Sequence, residues 1–159
     1  MTLNETLLRK LSEWHPSGTG RHGLATSDDC WTAAVTADRC DSMGCLIWEF
    51  TLSRKGPAPA GLTLRSWAER TARRVNALLE QLKVVEVDEG RNEAQLRSQE
   101  PSQRGEQIFY YEVVLRGTAA AILRRYQASP APASHREQVS FTLTHEALAK
   151  LASDLAADQ

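Results

Sequence analysis

Three cysteines, four histidines and two adjacent acidic pairs are the groups in this 159-residue sequence whose types could do chemistry. Cys30, Cys40 and Cys45 are separated by ten and five positions. Zinc-binding cysteines normally come as close CxxC or CxxxC pairs, so this spacing predicts reduced, half-buried thiols. The alternative is a metal or redox pair, because Cys40 and Cys45 can approach each other across a turn. Nothing in the pattern places a base against any of the three thiols, so none is assigned as a nucleophile.

His15, His22, His135 and His145 all lie outside strong apolar runs, which predicts exposed or locally capping roles. His22, Asp28, Asp29 and Cys30 share a short stretch and make a crude polar cluster without fixed geometry. Asp28-Asp29 and Asp88-Glu89 fall at turns, where acids bond their own backbone. GTGRHG at 18–23 is the nearest approach to a phosphate loop, but it follows a helix pattern and lacks the Lys-Ser/Thr ending. GxSxG and HExxH are absent. No catalytic residue, metal or cofactor is therefore assigned, and an enzyme is the less favoured class.

Arg65, Arg70, Arg73 and Arg74, with Arg124, Arg125 and the neighbouring Tyr126, could form a basic stripe suited to phosphate contact or base stacking. The net charge of −1 gives no global attraction to a polyanion. Even between positions 54 and 125 there are only 13 Lys and Arg against 9 Asp and Glu, so nucleic acid is an unlikely partner. Apolar candidates are more numerous. Trp48, Phe50, Trp67, Phe109 and Tyr111 could line a pocket, while Ile108, Tyr110 and Val114 occupy the second face of a strand and could form an interface.

These side chains need elements to position them. Residues 62–82 show the longest strong periodicity, with Leu64, Trp67, Ala68, Thr71, Val75, Leu78, Leu79 and Leu82 on one stripe and Glu80 opposite, which predicts a long central helix. Thr2 and Glu5 form a capping box before an amphipathic helix over about 3–14, stopped by Pro16 and Gly18. That helix is too short to stand alone, and the sequence leaves open whether it docks on its own sheet or on a second subunit. Residues 17–29 read as loop. The stretches 30–38 and 45–54 alternate as an antiparallel hairpin, with Trp31 and Trp48 on its buried side.

Strands follow at 84–88 and 93–98 and, most strongly, at 107–116. Residues 100–106 form a polar loop and a candidate for disorder. Arg116-Gly117-Thr118 suits a tight turn, and 119–128, ambiguous by propensity, is read as a strand. After a Pro-Ala connector at 129–134 comes a last strand at 139–143. Thr144 then caps a helix with Ala147, Leu148, Leu151 and Leu155 inside.

The expectation is one α+β domain over 1–159, in the order α-β-β-α-β-β-β-β-β-α, with an antiparallel sheet packed on the central helix and helices at both termini. This order resembles that of the small dimeric chaperones of bacterial secretion systems; no motif accompanies the resemblance. The chain has no apolar leader at its N-terminus and no apolar run of membrane-spanning length. With its odd cysteine count this predicts a cytoplasmic protein. The functional expectation is a non-enzymatic protein-interaction or chaperone-like module acting as a homodimer. A small-molecule pocket between sheet and central helix is the alternative, and nucleic-acid contact through the arginine stripe a second.

Overall fold

The computed structural model describes residues 1–130 and 135–156. It is a mixed helix and strand fold with a large antiparallel sheet. Among the described residues the elements are α1 (Leu3–Glu13), β1 (His22–Ser27), β2 (Trp31–Cys40), β3 (Gly44–Arg54), α2 (Leu64–Arg74), β4 (Leu82–Asp88), β5 (Glu93–Ser98), β6 (Ser102–Arg104), β7 (Gln107–Arg116), β8 (Ala120–Ala128), β9 (Glu137–Val139), β10 (Phe141–Thr144) and α3 (His145–Ala156). The main path of the sheet runs β1-β2-β3-β8-β7-β5-β4, with β10 on β3, β6 on β7 and β9 on β8.

The expected long central helix is not present. α2 has 11 residues and stops at Arg74, with Val75 already extended. Val75 is β-branched and Asn76 competes for backbone hydrogen bonds, so both are weak helix residues. Tertiary contacts then take over from the period. Leu78 turns inward, Glu80 enters a buried ion pair, the Gln99 N–H donates to the Gln81 carbonyl at 2.6 Å, and Leu82 opens β4; Leu79 is left 75% exposed. The helix that touches both others is α3 rather than α2. It buries Leu148, Leu151 and Leu155, and the Leu155 carbonyl accepts a bond from Trp67 Nε1 at 3.1 Å.

α1 begins with the expected Thr2–Glu5 capping box and buries Leu3, Leu7 and Leu11 against α3 and the β1–β2 end of the sheet, so it docks within its own chain. Thr63 caps α2 through Ser66, and Thr144 Oγ1 accepts from the Ala147 N–H at 3.0 Å. The strands expected at 93–98 and 107–116 occur with those limits, and 120–128 is a strand.

Two polar stretches read as loops contain strands. β1 lies within 17–29 and pairs with β2, and β6 lies within 100–106 and pairs with β7. The expected last strand is two, β9 and β10, broken at Ser140. The order is therefore α-β-β-β-α-β-β-β-β-β-β-β-α. Residues 131–134 of the Pro-Ala connector lie outside the described residues.

The first hairpin also departs from strict alternation. Thr36 pairs with Glu49, Ala37 with Ile47 and Arg39 with Leu46, so Trp48 and Asp38 have no partner in register. An unpaired residue flips every side chain beyond it. Phe50 and Leu52 face the core as expected, but Cys45 and Ile47 replace Leu46 and Trp48 there. Trp48 lies on the opposite face, half-buried, with the Arg21 guanidinium 3.6 Å from its ring centroid.

Candidate functional site

The bulge has a second consequence. β3 pairs with β8 only over Phe50–Ser53, and β10 takes the place of β8 beside Cys45–Ile47. β9 pairs with the far end of β8, and Gln138 Nε2 donates to the carbonyl of the bulged Trp48 at 2.9 Å. The β9–β10 segment thus fills the gap where β3 and β8 separate. Among the described residues β10 pairs with β3 alone, so its other edge carries no strand.

That edge borders an open groove of about 690 Å³. Its floor is Phe109 and Tyr111 of β7 with Arg125 of β8. One wall is the 77–79 segment with β6, and the other is the continuous run from Val139 to Thr144. A strand seen face-on presents alternate residues. Six consecutive lining residues mean that the chain is seen along its edge. The lining holds two arginines, Arg104 and Arg125, and no carboxylate.

Arg125 is held from below. Its guanidinium makes two parallel bonds to Glu80, at 2.9 and 3.1 Å, while Ser98 Oγ and Ser102 Oγ donate to the same carboxylate at 2.8 and 2.7 Å. Both side chains are buried, at 9% and 6% exposure. Burial pushes the Glu80 carboxyl up, but the bonds from Arg125, Ser102 and Ser98 and the charge of Arg125 together hold it below the ordinary glutamate value. Arg125 also stacks on Tyr111, 4.2 Å from the ring centroid, and burial raises the phenol of Tyr111 above its usual value. This clamp ties β5, β6, β7 and β8 to the segment following α2 and fixes the groove floor.

The candidate residues do not all converge on this groove. Phe109 and Tyr111 line it. Phe50 and Trp67 are fully packed in the core, at 0% and 1% exposure, and line no pocket with them. Trp48, Ile108, Tyr110 and Val114 belong to the outer face, where Ile108 and Tyr110 border a shallower depression beside Val84, Val85 and Arg97. That face is a polar and aromatic lattice. Tyr110 and Tyr126 lie 5.9 Å apart, and buried Glu112 bridges Arg97 at 3.1 Å and Arg136 at 2.7 Å.

The arginine stripe is divided. Arg124 pairs with Glu49 on the outer face at 2.7 Å, and Arg125 is buried with Glu80 beneath the groove. Arg65 meets Glu89 at 3.7 Å, Arg70 is half-buried, and Arg73 and Arg74 are exposed on α2. The His22, Asp28, Asp29, Cys30 cluster is drawn apart by β1, which runs extended from His22 to Ser27 and separates its ends by roughly 17 Å at strand rise. The Asp28 carboxylate instead caps the N–H groups of Cys30 and Trp31 at 2.8 and 2.7 Å.

The cysteine expectation is also corrected. Cys40 and Cys45 are joined by a disulfide across the hairpin turn, with Cα atoms 4.1 Å apart, and Cys30 is free and exposed. The direct opposition of the pair in the β2–β3 register brings the two side chains together. His145 is buried at 6% exposure, with Nε2 3.8 Å from Cys40 Sγ. The three side chains bring their donor atoms within 4.8 Å of one another, but sulfurs bonded to each other offer no thiolate to a cation. The odd cysteine count consequently gives no argument about compartment.

Sequence reasoning missed Glu80, Arg104 and the β10 edge as site residues. The polar serines and threonines of 98–102 and 140–144 were the available signal.

No family model matches the chain. No curated protein and no solved structure is significantly similar to it, so the likeness to the secretion chaperones rests on the order of elements alone. Among the described residues no helix is long and apolar enough to cross a membrane.

Proposed function

We propose that this chain is a non-enzymatic protein-binding module that holds an extended segment of a partner along the free edge of β10. The observation carrying this reading is that all four residues of β10, Phe141 to Thr144, line the groove, on a strand that among the described residues is paired on one side. Unpaired strand edges bind extended peptides by main-chain hydrogen bonds, and flanking pockets select alternate side chains. Here Leu46, Leu79, Phe109 and Leu143 supply apolar contact, and Arg104, whose guanidinium lies 5.5 Å from the Phe109 ring, supplies positive charge without a carboxylate in the lining. The matching occupant is an extended apolar segment carrying at least one acid.

Selection from a displayed random-peptide library, followed by titration of the selected peptides, tests this. Enriched sequences are expected to alternate apolar residues with an acid. Phe109→Ala is expected to weaken them about tenfold, or about 1.4 kcal/mol, and Arg104→Glu to weaken acidic peptides more than neutral analogues. Failure to enrich any peptide, or equal binding by Phe109→Ala, would overturn the reading.

The reading includes a homodimer. Its support is the aromatic and apolar content of the outer sheet face, which carries Trp48, Ile108, Tyr110 and Val114. Light scattering on the full chain decides it, and a monomer at micromolar concentration removes the dimer while leaving the groove.

A further inference from the structure

We propose that Cys40, Cys45 and His145 form a thiol–disulfide exchange site that reacts with low-molecular-weight disulfides, with Cys40 as the entry sulfur. The proposal is independent of the groove and rests on three observations. The two sulfurs are bonded between directly opposed residues of one hairpin, whose β2–β3 register sets their Cα atoms 4.1 Å apart. Their accessibility is unequal: Cys40 is half-buried and Cys45 is 2% exposed, so an incoming molecule reaches the first and not the second. A buried imidazole lies against the accessible sulfur, with His145 Nε2 within hydrogen-bonding reach of Cys40 Sγ at 3.8 Å.

His145 is the first residue of α3, so the helix start fixes the backbone that carries the imidazole. The adjacent Asp41 carboxylate is turned into the hairpin, accepting from the Met43 and Gly44 N–H groups at 2.8 and 3.1 Å. A structural disulfide needs none of these neighbours.

The chemistry balances as follows. In the dithiol form His145 takes the Cys40 proton and the thiolate attacks one sulfur of a disulfide RSSR. A Cys40–SR bond forms, the RSSR bond breaks, and the departing thiolate leaves as RSH with the proton from His145. The Cys45 thiol then passes its proton to His145, within 4.8 Å of it, and its sulfur attacks Cys40 Sγ. The intramolecular disulfide forms, the Cys40–SR bond breaks, and the second thiolate takes that proton and leaves as RSH. Two electrons and two protons pass from the protein to RSSR, and an excess of RSH drives the reverse.

The experiment uses the full chain carrying Cys30→Ser, equilibrated in buffers of varied glutathione to glutathione disulfide ratio, quenched by alkylation and read by intact mass. A two-electron transition in folded protein is expected. Adding Cys45→Ser should trap a glutathione adduct on Cys40, and Cys40→Ser should leave Cys45 essentially unmodified. His145→Gln, with its fold checked by circular dichroism, should slow adduct formation at Cys40 by about tenfold, and His145→Asn should not restore it. A disulfide that yields to glutathione only after unfolding overturns the proposal, as does an adduct that forms first on Cys45. Stoichiometric cobalt binding by the dithiol with thiolate charge-transfer absorbance, in place of exchange, assigns a metal site and overturns it equally.

Discussion

Glu80 shows how a single residue can escape periodicity. By helical spacing it belongs with Arg73 and Asn76 on a solvent face, yet it is among the most buried acids in the described chain. Its partners are Ser98, Ser102 and Arg125, up to 45 positions away, so nothing local announces it. The same holds for Glu112, buried between Arg97 and Arg136, and for His145 beside Cys40. Removing one partner of a buried pair leaves the other charge uncompensated, so Glu80→Ala should lower the stability measured by urea unfolding at neutral pH by about 3–5 kcal/mol. The acid dependence has a definite sign. The folded-state value of Glu80 lies below the unfolded value near 4.5, so the unfolded chain binds the proton more readily. The stabilisation is complete above that value and is lost as pH falls through the lowered one. Glu5 and Asp41 are lowered too, but both are present in wild type and in Glu80→Gln. The difference between the two urea midpoints should therefore shrink from neutral pH towards the acid limb, and a constant difference would refute the assignment.

At the scale of the element, what was legible depended on whether local pattern and tertiary partner agree. β5 alternates cleanly, β7 is dense in β-branched and aromatic residues, both are paired on both sides, and their limits follow from the residues alone. β1 contains Gly23 and several small polar residues, β6 is three polar residues long, and both are ordered by a neighbour the local pattern does not reveal. The bulge at Trp48 is equally silent, since alternation reads well through it until the register is known. The joint between β3 and β10 gives a sharp test. A methyl group on Gly44 would stand 2.6 Å from the Leu143 carbonyl oxygen and 3.2 Å from Thr144 Cα, both of them backbone. Gly44→Ala must therefore displace β10 from β3, at an expected cost of about 1–3 kcal/mol, with faster amide exchange at Phe141–Thr144. Gly23→Ala is the control. Its methyl meets only the Val35 oxygen, at 4.0 Å, and should be neutral or stabilise by up to about 1 kcal/mol through the unfolded chain. Equal effects at the two glycines would mean that β10 yields without loss.

For the whole molecule, the sequence indicated a mixed fold with an antiparallel sheet but not how its helices are layered. It gave the central place to 62–82 because that stretch is the most periodic, whereas the layer is centred on α3, whose small Ala149 and Ala152 are completely buried and whose sides receive α1 and α2. Small residues carry little hydropathic signal although they permit the closest packing, so a central helix can look weaker than a peripheral one. This layering makes α1 a structural part of its own chain. Leu3, Leu7 and Leu11 are exposed by 5%, 0% and 0%, and at about 1.5–3 kcal/mol for each buried leucine they contribute roughly 5–9 kcal/mol. That is comparable with the 5–15 kcal/mol of net stability typical of a domain. Deleting residues 1–14 should consequently abolish the cooperative thermal transition and produce dye-binding apolar surface along α3. Leu7→Ala should retain the transition, with stability lower by about 2–5 kcal/mol. A truncated chain that melts as sharply as the intact one would show that α1 does not complete this core, and would leave it available to a second copy.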